Sequence, residues 1–415
     1  MKIQLIVYSA IFIFFVATSC KKNETPAARQ EVHFTTSQKA MLGSSNTFGL
    51  NLLSHLGATI PENGNLFISP LSVSLALTMT YNGASGNTAV EMKQVLGIPQ
   101  LSQTDINQAG KDLLQLLLHL DPKVTLEIAN SIWYRNTFPV KADFLAINTT
   151  YFDAEVNASD FNDPNMVNLI NSWVKTKTHE KIQSILDNID PAAVMYLINA
   201  VYFKGAWQYA FDPSKSSLQN FHLANGSTYT TSFMNQLCSL KYMKNELLSA
   251  VELPYANGYF SMVVMVPEEG QTTATILGQL TDKTWNAWNT AMTMIPKVQV
   301  LLPKFKTQSD LELKENLIAM GMKDAFLKDV ADFSGIDGAK DLLISKVKHK
   351  TFVEVNEEGT EAAAVTSVEI IVTSVGPGND KTIYFNADKP FVFFIKENTT
   401  NSILFAGVIQ KPVVD

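Results

Sequence analysis

The residue types that most often perform catalysis are scattered along this chain of 415 residues. Its six histidines run from His33 to His349 with no two at metal-ligand spacing, and its two cysteines, Cys20 and Cys238, are far apart. The sequence has no glycine-rich phosphate loop, no His-Glu-x-x-His and no Gly-x-Ser-x-Gly turn. These absences predict no catalytic metal and no cofactor and argue against the common enzyme classes, although a catalytic triad can assemble from residues that are distant in sequence.

Cys20 is the cysteine whose surroundings predict a chemical modification. Lys2 and an apolar run over residues 3–16 precede it. That run is short for a membrane span, which needs about 20 residues. A secretory signal has this layout: a basic residue, a short apolar run and then small residues. The small residues before Cys20 resemble a bacterial lipoprotein box, in which the cysteine is acylated. If Cys20 is acylated, Cys238 has no partner, and its apolar neighbours predict an inert thiol.

These features divide the N-terminus into two segments. We expect residues 1–19 to be a signal peptide and residues 20–33 to be a polar tether that is lipidated at Cys20. The protein is then exported across the inner membrane and anchored in a bacterial envelope, either periplasmic or surface-exposed. A plain secretory signal followed by an incidental cysteine is the alternative.

A segment of fourteen residues, from Thr360 to Thr373, alternates like a β-strand. One face carries only small or apolar, uncharged residues: Thr360, Ala362, Ala364, Thr366, Val368, Ile370 and Val372. Strands usually have five or six residues, and alanine and glycine, which open this segment, are poor strand formers. Small leading side chains can pass between two existing strands, so the pattern predicts a strand formed by insertion. An ordinary edge strand is the alternative.

The rest of the chain must supply a sheet that could accept such a strand. The apolar spacing predicts one helix that starts at Asn46 with Ser44 or Ser45 as its cap, a second that follows Pro70, a third around residues 167–174 and a fourth that ends at Gly321. Strands are predicted at residues 65–69, 194–203, 259–266 and 298–302. We expect the strand at 194–203 to be buried on both faces, because it is almost entirely apolar. Helices and strands interleave without a βαβ period, which indicates an α+β fold. A net charge of −7 without a long basic run argues against a nucleic-acid partner.

Four separated motifs resemble the serpin (serine protease inhibitor) family, in the order that the family has them. They are residues 65–79, 199–207, 356–364 and 385–395. The resemblance implies the serpin fold in a single domain over residues 34–415, with a large mixed β-sheet, two smaller sheets, surrounding helices and an exposed reactive-centre loop at about 357–380. One departure is Glu180, where many members have glycine; because glutamate disfavours left-handed backbone, we expect that turn to be built differently.

The resemblance also implies an activity. Inhibitory serpins are suicide inhibitors of serine proteases and, in some cases, cysteine proteases: the protease cleaves the loop, forms an acyl-enzyme and is carried away as the loop inserts into the sheet. The implied loop hinge comprises Glu357, Gly359, Thr360, Glu361, Ala362, Ala363 and Ala364. These residues are small where insertion requires it, and no proline lies between Glu357 and Val375, which favours an active inhibitor.

In the family the cleaved bond follows the fourteenth residue after the hinge glycine. This spacing predicts cleavage at Thr373–Ser374, with Val372 or Ile371 as the alternatives if the register shifts. A small β-branched residue suits proteases with a shallow apolar pocket, such as elastases, which we expect to be partners of a monomeric inhibitor. The resemblance further places Ser69, Ser72, Asn199, His349 and Trp207 in the region where the sheet opens. There we expect His349 to be a hydrogen-bonding residue.

Two other classes of protein stay open at this point. A non-inhibitory serpin that acts as a binding or carrier protein would keep the fold and lose the insertion. A lipid-anchored ligand-binding protein would explain Cys20 but not the hinge pattern.

Overall fold

The computed structural model describes residues 33–360 and 381–414, and every structural statement below concerns these residues. The helices are α1 (Thr36–Gly57), α2 (Pro70–Tyr81), α3 (Gly86–Val95), α4 (Gln103–His119), α5 (Ala142–Phe152), α6 (Met166–Lys177), α7 (Thr273–Gln279), α8 (Asp282–Ala291), α9 (Lys314–Met320) and α10 (Ser334–Asp337). None of the helices in the described ranges has the length and apolar character needed to cross a membrane.

The described strands alternate with these helices along the chain. They are β1 (Leu66–Ile68), β2 (Val124–Arg135), β3 (Ala154–Ser159), β4 (Met195–Ala206), β5 (Ser217–His222), β6 (Thr228–Lys244), β7 (Leu248–Pro254), β8 (Phe260–Pro267), β9 (Thr293–Pro303), β10 (Phe305–Glu312), β11 (Lys348–Val355), β12 (Gly359–Thr360), β13 (Ile383–Asn386), β14 (Phe391–Glu397) and β15 (Ile403–Ile409).

The strands form two sheets. A six-stranded sheet has the order β10-β11-β12-β4-β2-β3, and a nine-stranded sheet has the order β1-β15-β14-β8-β7-β6-β9-β13 with β5 beside β6. Each sheet is mixed, because β2 and β3 pair in parallel, as do β13 and β9. The expected α+β fold with a large mixed sheet and surrounding helices is confirmed. The two smaller sheets that were expected are joined into the single nine-stranded sheet. The 17-residue β6 connects them, because it pairs with β5, β9 and β7 along its length.

Helix α2 packs between the two sheets and starts where the sequence predicted. Strand β1 ends at Ile68, Ser69 caps the helix by accepting a hydrogen bond from the N–H of Ser72, and Pro70 occupies the first turn. Helix α1 starts earlier than expected. Its cap is Thr35, which forms a reciprocal capping box with Gln38, so the prediction of Ser44 or Ser45 as cap is wrong.

Two further expectations need correction. Strand β4 is not buried on both faces, because Leu197 and Asn199 are half-exposed and border a cavity. Glu180 does adopt left-handed backbone, with φ of 65°, which glutamate was expected to avoid. The turn is closed by hydrogen bonds from the N–H of Glu180 to the carbonyl of Lys175 (2.8 Å) and from the N–H of Lys181 to that of Thr178 (2.9 Å), which offset the backbone strain.

Candidate functional site

Strand β12 has two residues and lies between β11 and β4 in the six-stranded sheet. Gly359 pairs with Ala206 and Thr360 with Gly205, both on β4, while Thr360 also pairs with Val355 on β11. Both pairings are antiparallel. Gly359 and Thr360 therefore form the start of a strand between β4 and β11.

Only glycine fits at position 359. A Cβ atom there would lie 2.1 Å from the carbonyl oxygen of Gly205 and 2.8 Å from the Cα of Ala206, and the backbone has φ of 152°. The neighbouring chain is tied to β4 as well, because the N–H of Trp207 donates to the carbonyl of Glu358 at 2.9 Å. The glycine thus permits the close backbone approach by which the hinge enters the sheet.

Aromatic side chains hold Thr360 in place. The ring of Trp207 stacks on that of Tyr255 at a centroid distance of 4.6 Å, and the Trp207 indole N–H donates to the carbonyl of Asn356 at 2.9 Å. The Tyr255 hydroxyl lies 2.6 Å from Oγ1 of the buried Thr360. Burial raises the pKa of Tyr255, so its phenol stays protonated and can donate this hydrogen bond.

Charged residues complete this region. Glu357 Oε1 accepts a hydrogen bond from the Ser216 hydroxyl at 2.7 Å and lies 3.0 Å from Nζ of Lys304. Burial by itself raises the pKa of Glu357, but the Ser216 hydrogen bond and the Lys304 ammonium outweigh burial and leave the pKa below its usual value. The hinge cluster, as we name it, consists of Trp207, Tyr255, Lys304, Glu357 and Thr360.

Beyond Thr360, no residue of β4 pairs with a residue of β11 in the described ranges, and we call the region between these two strands the gap. In the described residues, Gly359 and Thr360 are the only strand residues between them. A cavity of about 510 Å³ lies there, lined by the beginning of β4 (Met195 to Asn199), by residues 341–349 leading into β11, and by α2. The cavity therefore lies beside the ends of β4 and β11 that are farther from the hinge.

The gap is spanned by hydrogen bonds to the first turn of α2. The N–H of Ser69 donates to Nε2 of His349 on β11 at 3.0 Å, and the Ser69 hydroxyl donates to the carbonyl of Leu404 at 2.9 Å. The hydroxyl of Ser72 donates to Oδ1 of Asn199 on β4. We call Ser69, Ser72, Asn199 and His349 the latch cluster, because together they tie both strands beside the gap to one helix.

Further hydrogen bonds extend the latch cluster into its surroundings. The amide of Asn199 donates to Oδ1 of Asn130 at 2.7 Å, and Asn130 in turn donates to the carbonyl of Phe152 at 2.7 Å. On the other side of the gap, the hydroxyl of Thr351 donates to the carbonyl of Phe67 at 2.5 Å. These contacts fix the side chains that line the gap.

His349 acts as a neutral acceptor. The residue is 5% exposed, and burial lowers the pKa of its imidazole to about 4. An imidazolium has no lone pair on Nε2 and cannot accept from the N–H of Ser69. This geometry fits a hydrogen-bonding role.

The structure brings four of the five predicted sheet-opening residues into the latch cluster and places Trp207 in the hinge cluster. Sequence reasoning missed Tyr255, Lys304, Asn130 and Thr351. Some of the predicted site residues lie outside the described residues: Cys20, Glu361, Ala362, Ala363, Ala364, Ile371, Val372, Thr373 and Ser374.

Cys238 is half-buried, and burial raises the pKa of its thiol to about 12, as an inert thiol requires. In the described residues no group of histidine, cysteine and carboxylate side chains is arranged to hold a metal ion.

The two mixed sheets, with β12 between β11 and β4 in the smaller one, define the fold class of this protein. Known sequences agree with this geometry: the family described as Serpin (serine protease inhibitor) matches residues 43–412. The chain belongs to the serpin family.

Individual relatives cover nearly the whole chain. The leukocyte elastase inhibitor of Equus caballus is 35% identical over 383 residues, which cover 89% of this chain and 99% of the relative. The crystal structure of the thermophilic serpin tengpin in the native state aligns with a TM-score of 0.80 at 34% identity, covering 93% of this chain and 97% of tengpin. Human thyroxine-binding globulin aligns with a TM-score of 0.82 at 27% identity, covering 91% of this chain and all of that one.

Proposed function

We propose that this protein is a suicide inhibitor of serine proteases that traps its target by loop cleavage and strand insertion. The observation that carries the proposal is that Gly359 and Thr360 already pair as a strand between β4 and β11, which have no pairing with each other in the described residues. In this mechanism the chain contributes no catalytic group, because the protease acylates itself on the loop. Displacement of the trapped enzyme then distorts its active site, and small misplacements of catalytic groups cost orders of magnitude in rate.

The pairing register supports insertion of the segment that follows Thr360. Thr360 lies opposite Gly205 on β4 and Val355 on β11. If an inserted strand kept this register, Thr366, six residues further, would come between Asn199 and His349. The even-numbered residues would then share the face of the buried Thr360. Because these residues are small or apolar and uncharged, they suit burial in the gap.

For the target we propose elastase-like proteases, cleaving at Thr373–Ser374, with Val372 or Ile371 as alternative sites. A small β-branched side chain suits a shallow apolar pocket, and the window from residue 371 to 375 contains no lysine or arginine for a trypsin-like enzyme. The similarity to a leukocyte elastase inhibitor points to the same class. Cysteine proteases are a further class of target, and we propose that the inhibitor is monomeric.

For the location we propose a bacterial lipoprotein exported by a signal peptide over residues 1–19. The support is the sequence around Cys20, and the polar residues 20–33 would join the lipid to the folded domain. Lipid on Cys20 would hold the inhibitor in the envelope while its folded part stays in water. Mass spectrometry of the N-terminal peptide tests this proposal: a diacylglyceryl adduct on Cys20 is expected, and an unmodified Cys20 would contradict it.

The inhibitory function is tested by incubation with pancreatic elastase. We expect a covalent complex that survives denaturing electrophoresis and a released C-terminal fragment that begins at Ser374. A fragment that begins well outside residues 372–375 would refute the proposed bond. Clean cleavage without a complex would favour the second candidate, a non-inhibitory binding protein. The similarity to thyroxine-binding globulin supports this candidate. No reaction with any protease would favour a lipid-anchored ligand-binding protein.

A further inference from the structure

Two large apolar side chains are exposed near one edge of the nine-stranded sheet, on the two strands that flank β9. Tyr384 on β13 is 71% exposed and Leu237 on β6 is 53% exposed. Both pair with the same residue of β9, because Gln299 is the register partner of Leu237 and of Tyr384. Directly paired residues point to the same face, and neighbouring strands are about 4.8 Å apart, so the two side chains flank Gln299 at a separation of about 10 Å.

The opposite face of these strands belongs to the core. Val298, Val300 and Phe385 are buried there. On the exposed face, the amide of Gln299 donates to Oδ1 of Asn235 on β6, which directs this side chain along the sheet. The result is a polar centre between two apolar projections, which we call the edge patch and define as Leu237, Gln299 and Tyr384.

The position of the edge patch along the chain indicates what would cover it. Strand β13 begins at Ile383, and the proposed reactive bond at Thr373–Ser374 lies ten residues before Tyr384. Ten fully extended residues span at most about 35 Å. A protease domain of about 230 residues has a radius of gyration of about 17 Å, and hence a diameter of about 45 Å. An enzyme that holds the reactive bond is therefore wider than the chain that joins the bond to β13.

We propose that the edge patch is a docking site for the target protease, contacting the enzyme surface beside its substrate cleft while the loop occupies that cleft. The inference rests on the proposed function, since it takes the position of the reactive bond from there. Tyrosine and leucine beside an amide present apolar area with a polar centre, and tyrosine is frequent among residues that dominate binding energy. The patch would raise the rate of loop attack by adding contacts that a free peptide lacks.

The test compares rates of loop attack by pancreatic elastase on the wild-type protein and on Leu237→Ser, Tyr384→Ser and the double variant. Val90→Ser is the matched control, because Val90 is 49% exposed and lies on α3, outside both sheets. Tyr384→Phe serves as the conservative variant. A synthetic peptide of residues 361–380 reports the rate without the sheet. Thermal unfolding is followed for every variant, and truncation of these exposed side chains should leave the midpoint unchanged.

We expect the double variant to lower the second-order rate constant of loop attack about tenfold, toward that of the peptide, with stoichiometry of inhibition unchanged. Val90→Ser and Tyr384→Phe should stay within about twofold of wild type. A double variant that reacts at the wild-type rate overturns the docking site. If elastase cleaves the loop without forming a complex and the cleavage rate still falls in the double variant, docking is supported and trapping is refuted. If a complex forms at the same rate in the double variant and the wild type, trapping is supported and docking is refuted. Failure of elastase to attack the wild-type loop would overturn both proposals.

Discussion

The hinge cluster and the latch cluster lie at successive points of the same boundary between β4 and β11, yet they are built differently. At the hinge, the strand has begun: Gly359 and Thr360 pair with β4, and stacked aromatic rings support Thr360. At the latch, β4 and β11 flank a cavity, and Asn199 and His349 tie them to the start of α2 by accepting hydrogen bonds from Ser72 and Ser69.

This difference separates the start of insertion from its progress. The hinge is held by backbone pairing and aromatic packing, which favour continued growth of the strand. The latch consists of polar contacts that residue 366 would have to enter if the register of Thr360 continued. We infer that the hinge cluster promotes insertion and that the latch cluster restrains it. Substitutions in the two clusters should therefore affect insertion in opposite directions.

The largest effect is expected from Thr360→Arg. Thr360 is 2% exposed and its hydroxyl contacts Tyr255, so an arginine would bury an unpaired charge or force the hinge out of the sheet. We expect the covalent complex with elastase to fall below about one-tenth of wild type while loop cleavage continues. Ala362→Pro, which lies within the proposed inserting segment, should have the same result. Thr360→Ser is the matched control and should trap normally. Trapping by Thr360→Arg at the wild-type level would refute insertion at the hinge.

The next largest effect concerns the latch and is a dependence on pH. The pKa of His349 is lowered from 6.5 to about 4 by burial. Since the unfolded chain takes up this proton near pH 6.5 and the folded protein does so only near pH 4, the stability is fully present above pH 6.5 and decreases as the pH falls toward 4. The loss amounts to about 3 kcal/mol. Urea unfolding at pH 7, 5.5 and 4.5 measures it.

His349→Gln is the matched variant for this pH dependence. Glutamine retains a side-chain acceptor for the N–H of Ser69 but does not titrate in this range. The slope of stability against pH between 6.5 and 4 should therefore decrease relative to wild type. An unchanged slope in His349→Gln would assign the dependence to other groups and remove His349 as its source.

The two clusters also differ in how far the sequence predicted them. The start of α2 was predictable because its signal is local: Pro70 closes a strand-like run and fits the first turn of a helix. The hinge was recognised from one continuous motif. Tyr255 and Lys304 were missed because each meets the hinge only through the folded sheet, about 50 or more residues away in sequence.

Two errors in the fold have different causes. The half-exposed face of β4 borders the cavity, which is formed together with α2 and residues 341–349 and leaves no mark in the apolar run of β4. The cap of α1 at Thr35 precedes the apolar stripe by more than two turns, so the stripe alone indicated a later start. The exposure of β4 was therefore not predictable from its own residues, whereas the Thr35–Gln38 capping box is a local signal that could have been found.

A smaller effect should come from the ion pair at the hinge. Glu357→Ala removes the acceptor of the Ser216 hydroxyl and the partner of Lys304, whose side chain is 26% exposed. We expect a loss of about 2 kcal/mol in the free energy of unfolding, because a charged, largely buried hydrogen bond is lost. A double-mutant cycle with Lys304→Met measures the coupling, which should be about 1 kcal/mol. Additive effects of the two substitutions would show that this pair does not stabilise the hinge.

The smallest effects provide the sharpest test of the two roles. Tyr255→Phe retains the stacked ring and removes the hydrogen bond to Thr360, and Ser72→Ala removes the hydrogen bond to Asn199. Each should lower the free energy of unfolding by about 1 kcal/mol. The limiting rate of complex formation at saturating elastase, which reports insertion, should nevertheless fall in Tyr255→Phe, because the started strand loses support. The same limiting rate should rise in Ser72→Ala, because the restraint on β4 is weakened. In each of the two variants the rate should change by up to about fivefold. If both variants shifted this rate in the same direction, the hinge and the latch would not have opposite roles, and general loss of stability would explain both changes.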